Sequence, residues 1–291
     1  MRVPNYASYL TYLRELQRNQ QSYLDAQMKV TTGKRIQKPS DDPVAASDIV
    51  RLSGEQAEAD QFTRNVDMAR SRLSMTDSVL DNVEQMLQRV QGLAQSSLGN
   101  PSQATAYTTE IDGLRDQILS AANTTHAGRY IFGGTVLTTA PYSKSGTGVV
   151  SYAGNSIPMT LQVNRDTTLQ IQLPGTDVFS GSVDVFQTLA DLTTAIQAGN
   201  STGVQTQLQN MQQIFSELST ARTRVGGYMN LADGVASHLT SAGLLRARNV
   251  NEVQNADAAQ AITELSLSQT NLQATLAVGA RLTQLSLLDY L

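Results

Sequence analysis

"TTGKRIQKPSDDPVAASDIVR" (residues 31–51) places one glycine, a basic pair, two prolines and two adjacent aspartates between two stretches of helical pattern. Read as chemistry it resembles a phosphate loop; read as architecture it is a connection between helices. A Walker-type loop needs a second glycine, then Lys and Ser or Thr, after a strand. Here Gly33 stands alone after a helical pattern, and the extended "IQKP" follows. Asp41 and Asp42 are adjacent, and adjacent residues do not face each other on a helix, so they are poorly set as an acid–base pair. The architectural reading accounts for more residues. Gly33 falls where a left-handed residue ends a helix, and Lys38-Pro39 keeps the chain extended. Asp42 is a good N-cap, Pro43 suits the first helical position, and Asp41 adds negative charge at the positive helix end. The stretch ends one helix and starts another.

On its N-terminal side, Tyr6, Tyr9, Leu13, Leu16, Gln20, Tyr23, Gln27 and Val30 recur at alternating steps of three and four, a heptad seam weakened by two glutamines. On its C-terminal side the alternation returns more strongly in Val66, Ala69, Leu73, Thr76, Leu80, Val83, Leu87, Val90 and Ala94. "LGNPSQ" (98–103) interrupts it, and Ile111, Leu114, Ile118 and Ala121 mark a further helix. From residue 129 the period becomes two: Ile157, Met159, Leu161 and Val163, then Leu169, Ile171 and Leu173, with turn residues at 153–155 and 164–167. Gly and Pro cluster in 133–158, which predicts a small β-rich insert of hairpins.

Helical period resumes from Val204 through Leu208, Met211, Phe215, Leu218, Arg222, Val225, Met229, Ala232, Ala236 and Leu239, with Arg222 the one charged member. Ile262, Leu265, Gln269, Leu272 and Leu276 form a last seam, and Leu282, Leu285 and Leu288 continue it on a shifted stripe. The fold class is therefore mainly α with a small β-rich insert, and long helices from both chain ends form coiled-coil layers. The two terminal seams are placed to pair with each other. Each is thin, which predicts ends that fold fully only on assembly.

Composition agrees. The 291 residues contain no Trp and no Cys, so thiolate nucleophiles, disulfides and Cys-based zinc sites are excluded. A formal charge of −4 gives no footprint for nucleic acid. No apolar run approaches the roughly 20 residues of a membrane span, so no membrane insertion is expected. "MRVPNYASYLTYLREL" lacks the apolar core and cleavage site of a secretory signal, which taken alone predicts the cytoplasm. The two histidines, His126 and His238, lie far apart in sequence, and no nucleophile elbow or dinucleotide spacing occurs. A glycan- or peptide-acting enzyme working from the insert would need a cleft with convergent carboxylates or a nucleophile, and Asp166, Asp177 and Asp184 are merely scattered candidates. The chain is read as no enzyme, with no cofactor and no metal.

Residues 31–51 resemble the N-terminal loop of bacterial flagellins and their relatives, and "MLQRVQGLAQSS" (86–97) is similar to a flagellin helix segment. "GRYIFGG" (128–134), "YAGN" with "GTDVF", and the terminus "LSLLDYL" resemble, within that superfamily, the flagellar hook-associated protein 3 family. The resemblance spans the chain and is weakest over 140–200. It implies a structural part of the flagellum at the hook–filament junction, needed for filament assembly and motility; a flagellin-type filament subunit is the alternative. It also reverses the compartment: an extracellular flagellum, reached without a cleaved signal through the flagellar export channel.

By the same resemblance, 1–40 with 251–291 form an inner coiled-coil layer, 41–139 with 201–250 a helical second layer, and 140–200 a β-rich outer domain. The implied partners are hook-associated protein 1 (FlgK), flagellin, further copies in a ring, and an export chaperone before secretion. Gly33, Arg35 and Ile36 would shape the connection between layers, and Asp41, Asp42 and Pro43 would start the next helix. Ile262, Leu265, Leu272, Leu276, Leu285, Leu287 and Leu288 would supply C-terminal packing and the chaperone surface. Arg89 matches an arginine of the helix that innate receptors read on some flagellins; no recognition is inferred from it.

Overall fold

A computed structural model of the chain describes residues 3–146 and 148–288, with 3–6, 8 and 282–288 described as helix without side chains. Among the described residues there are six α-helices: α1 (Val3–Thr32), α2 (Pro43–Gly99), α3 (Ala104–Ala122), α4 (Val185–Gln197), α5 (Ser201–Gln254) and α6 (Ala258–Leu288). Three separate antiparallel hairpins run between α3 and α4. They pair β1 (Thr125–His126) with β2 (Arg129–Tyr130), β3 (Tyr142–Lys144) with β4 (Val150–Tyr152), and β5 (Thr160–Asn164) with β6 (Thr167–Gln170). The mainly helical fold with a small strand-containing insert is the one the periodicities predict. The chain divides into two compact units, 59–241 and 1–58 with 242–291.

Unit 59–241 holds both large apolar clusters. The α2 stripe from Val66 to Ala94 is buried at all nine predicted positions, none more than 1 % exposed. Steps of three and four put those side chains on one face, and each buried Leu or Val contributes about 1.5–3 kcal/mol. Leu73, Leu80, Val83, Leu87, Val90 and Ala94 pack with Ile111 and Ile118 of α3 and with Val204, Met211, Leu218 and Val225 of α5. The charged position in the α5 stripe has a specific partner set. Arg222 reaches Asp77 at 3.2 Å, Asp81 at 3.1 Å and Glu84 at 2.7 Å, all on α2. Those carboxylates, Glu84 foremost, hold its guanidinium above the ordinary arginine range.

The insert differs from its sequence reading in extent. Within 140–200 the strands run from 142 to 170, whereas 185–197 is the helix α4. Asp184 caps α4, its Oδ1 accepting from the Gln187 amide at 2.8 Å, and Phe186, Leu189 and Leu192 bury its apolar face. Hairpin β5–β6 is carried by a smaller cluster in which Val163, Leu169 and Ile171 meet Phe62, Val66 and Ala232, whereas Tyr142, Val150 and Tyr152 of β3–β4 join the larger one. Ile157, predicted inward, is exposed.

In the other unit, α1 and α6 pack antiparallel. Lys29 Nζ meets Glu264 Oε2 at 3.0 Å, Asn19 Nδ2 donates to Thr275 Oγ1 at 2.6 Å, and the Tyr12 ring occupies the space a Cβ on Gly279 would fill. The terminal helices pair as predicted, but the phase differs. The covered α1 stripe is Tyr12, Leu16, Asn19, Tyr23 and Ala26; Tyr9, Gln20, Gln27 and Val30 are exposed. On α6 the covered stripe is Ala261, Leu265, Ser268, Leu272, Thr275 and Gly279, leaving Ile262, Gln269 and Leu276 exposed. Small residues at a helix contact allow close approach: Ala26, Ala261 and Gly279 are the buried positions of the seam, Leu16, Leu265 and Leu272 are half-covered within it, and Ile262 and Leu276 lie on its flank. The side chains of Tyr6, Leu282, Leu285, Leu287 and Leu288 lie outside the described residues.

Candidate functional site

The positions on which enzyme readings rested are occupied by structural partners. Asp177 pairs with Arg224 at 3.0 Å, Asp184 caps α4, and Asp166 lies exposed in the β5–β6 turn. His126 faces Ser71 at 3.4 Å and His238 is exposed on α5. Among the described residues no three His, Cys, Asp or Glu side chains are grouped to hold a metal, and no helix is long and apolar enough to cross a membrane.

The opening stretch builds a joint instead. Gly33 ends α1 in the left-handed conformation, φ +67°, which a side chain would strain. Its carbonyl accepts from the Ala256 amide at 2.9 Å, and Lys34 bridges Asn255 in antiparallel fashion. Arg35 is held three ways. Its amide donates to the Gln254 carbonyl at 2.7 Å, Nη2 to the Val253 carbonyl at 3.1 Å, and Nη1 to Asp42 Oδ2 at 3.4 Å. Ile36 is 4 % exposed, so the crossing strands carry one apolar anchor.

Two aspartates then organise the restart. Asp41 Oδ2 accepts from the Gln37 and Lys38 amides at 3.0 and 2.9 Å. Asp42 Oδ1 accepts from the Ala45 amide at 3.1 Å, with Pro43 at the first position of α2. Both carboxyls are held below the usual aspartate range, Asp41 by the Gln37 and Lys38 amides and Asp42 by the Ala45 amide and then Arg35. Hydrogen bonds to a carboxylate favour its charged form.

Sequence reasoning missed the other half of this joint. Residues 255–257 break the run between α5 and α6, and Asp257 restarts the helix by accepting from the Ala259 and Gln260 amides at 2.8 and 3.1 Å. The signal was there, an Asp before two alanines and Gln260, but it lies inside a continuous helical rhythm. Two chain crossings, Gly33–Asp42 and Val253–Asp257, thus lie side by side and share four backbone or guanidinium bonds. Beside them lies a polar groove of about 450 Å³ whose walls include Asp25, Lys29, Lys38, Asp41, Asp257 and Glu264. Lys29–Glu264 at 3.0 Å and Lys38–Asp25 at 3.9 Å pair charges across it, and Lys29 holds Glu264 below its ordinary value.

Of the C-terminal positions, Leu265 and Leu272 are half-buried against α1, and Ile262 and Leu276 are 56 % and 50 % exposed. Arg89 pairs with Glu110 at 2.7 Å. Arg72 is a further residue the sequence did not disclose. It is 4 % exposed, and Nη2 donates to the Tyr130 carbonyl at 2.8 Å and to Gln172 Oε1 at 2.6 Å. Gln172 in turn donates to the Gly134 carbonyl at 2.9 Å, so one buried arginine ties α2 to the "YIFGG" segment and the insert. Burial, then the neighbouring Arg129, pulls its affinity for the proton down.

Residues 3–136 match the bacterial flagellin N-terminal helical region. The chain is 28% identical to flagellar hook-associated protein 3 of Escherichia coli K12, over 94% of this chain and 95% of that one. It is 22% identical to a flagellin of Bacillus subtilis 168, over 98% and 97%. Among solved structures, FlgL of Xanthomonas campestris superposes with a TM-score of 0.63 at 20% identity, covering 69% of this chain and 99% of that one.

Proposed function

We propose, from the premise that this chain is flagellin-like and related along nearly its whole length to flagellar hook-associated protein 3, that it is a structural, non-enzymatic component of the bacterial flagellum at the hook–filament junction. It acts outside the cell, in a ring of its own copies. One axial side meets hook-associated protein 1 and the other meets the first flagellin subunits. Export runs through the flagellar channel, with a chaperone covering the C-terminal helix beforehand. Residues 1–40 with 251–291 serve as the inner layer, 41–139 with 201–250 as the second layer, and 140–200 as the outward domain. Gly33, Arg35, Ile36, Asp41, Asp42 and Pro43 fix the passage between the first two.

One structural observation carries the assembly part of this reading. Among the described residues, unit 1–58 with 242–291 buries only Ala26, Ile36, Leu52 and Ala261 as apolar side chains, yet exposes twelve large ones. Unit 59–241 exposes four and holds both clusters. Exposed apolar surface on that scale marks contact with other chains.

Deleting the gene in its motile host tests the proposal. Cells that keep a hook, lack a filament and shed flagellin monomers support the junction role. Loss of filament and flagellin antigen together, with nothing shed, supports the second reading, a filament subunit, which the match to Bacillus subtilis flagellin favours. Normal flagella and swimming would overturn both.

A further inference from the structure

The exposed side chains of α6 are not scattered. At 100° per residue, Ile262 and Leu276 lie on one flank of the stripe that meets α1, and Leu267 and Val278 on the other, about 170° away. All four are at least half exposed. In an antiparallel pair, corresponding flanks of the two helices fall on the same side, as the Lys29–Glu264 contact requires. The Ile262–Leu276 flank is therefore continued on α1 by Tyr9 and Leu24, which are 48 % and 45 % exposed. The intervening positions of that face, Leu13, Gln20, Gln269 and Gln273, carry no charge. The Leu267–Val278 flank is continued instead by Arg14, Glu15, Arg18 and Asp25.

The α1/α6 pair thus has a broad uncharged face on one side and a narrow aliphatic stripe with a charged border on the other. Two unlike apolar surfaces on opposite sides of one helix form a face and a counterface. A partner binding once would need only one of them, whereas a chain repeating side by side needs both. We infer that a second copy of this chain docks its Leu267–Val278 stripe onto the Tyr9–Leu24–Ile262–Leu276 face, so that copies stack heterologously through opposite flanks of α6. This inference rests on the assembly reading above and adds which surfaces meet. The mixed charges beside the stripe then remain at the rim of the contact, where they set register rather than affinity.

The chain has no cysteine, so introduced ones report without background. Ile262→Cys or Leu276→Cys is placed in one tagged copy, and Leu267→Cys or Val278→Cys in a differently tagged copy. Both are expressed in host cells lacking the native gene, and purified flagella are oxidised. The expected result is a mixed-tag disulfide dimer in at least one of the four pairings, with at least tenfold less dimer from either copy alone. Dimers of the Ile262→Cys or Leu276→Cys copy with itself would indicate two like faces meeting and overturn the inference. Swimming cells whose flagella contain the protein without any such crosslink overturn it too, while leaving the junction reading intact.

A second measurement covers variants that fail to assemble. Purified Ile262→Asp and Leu267→Asp chains are compared by sedimentation, alone and mixed. Each keeps one working surface, so the mixture must form dimers that neither forms alone. A mixture that stays monomeric where the native chain associates removes the inference.

Discussion

Asp41 and Asp42 give the joint a definite response to acid. Their carboxyls titrate below the ordinary aspartate value in the folded chain because backbone amides and Arg35 hold the charged form. A depressed folded value means the stabilisation is complete above the unfolded value of about 3.9 and is lost as pH falls through the folded one. Protease sensitivity of the 33–42 connection should rise below about pH 4; Asp41→Asn should reduce that pH dependence and Asp41→Asn with Asp42→Asn should abolish most of it, while Asp77→Asn should not. Gly279 supplies the second residue-scale case. A methyl there meets the Tyr12 ring, so Gly279→Ala should loosen the α1/α6 pair by about 1–3 kcal/mol, although alanine is the better helix former. Hydrogen exchange along α1 checks this, and unchanged protection would refute it. Gly33 and Asp42 were legible because a turn and a cap are written in a few adjacent residues. Gly279 was not, because its reason sits on Tyr12, at the other end of the chain.

At the scale of elements, the sequence disclosed most where a helix finds its partners inside its own chain. All nine positions of the α2 stripe are buried, and α5 meets it in the same rhythm. There Leu80→Ala should cost about 2–5 kcal/mol. Arg222→Ala should lower Tm by about 2–4 °C, the shift that ~1 kcal/mol produces at this size, by leaving three α2 carboxylates facing one another. Calorimetry at low and high salt separates the two, since only the Arg222 effect shrinks with salt. On α6 the heptad rule selected Leu265 and Leu272, which are covered, and Ile262, Gln269 and Leu276, in whose place the fold covers the neighbouring Ala261, Ser268 and Thr275. Apolar bulk marks where a helix needs cover, and intrachain burial only where this chain provides it. Leu276→Ser should therefore leave the isolated chain within about ±0.5 kcal/mol of the native stability. The helix α4 escaped notice for a related reason. The Gly and Pro residues before 176 colour the whole of 140–200 as loop and strand, although Asp184 and the spacing of Phe186, Leu189, Leu192 and Ile196 spell a capped helix.

For the whole molecule, the uneven distribution of burial sets where independent folding resides. Both apolar clusters draw every buried member from 59–241: α3, α4, the strands, and the parts of α2 and α5 that enclose them. The Arg222 carboxylate set and the Arg72–Gln172–Gly134 chain of hydrogen bonds fall inside the same bounds. The other unit pairs two long helices through a half-covered seam and a hydrogen-bonded joint, with little apolar burial to offset the entropy of ordering them. An excised 59–241 fragment should consequently unfold in one cooperative transition, with Tm within a few degrees of the full chain's main transition. The full chain should lose part of its far-ultraviolet helix signal earlier and more gradually, and Gly279→Ala should enlarge that early phase without moving the main one. If the fragment instead fails to fold, the terminal helices must stabilise the rest of the chain. Their exposed leucines could then no longer be assigned to assembly alone.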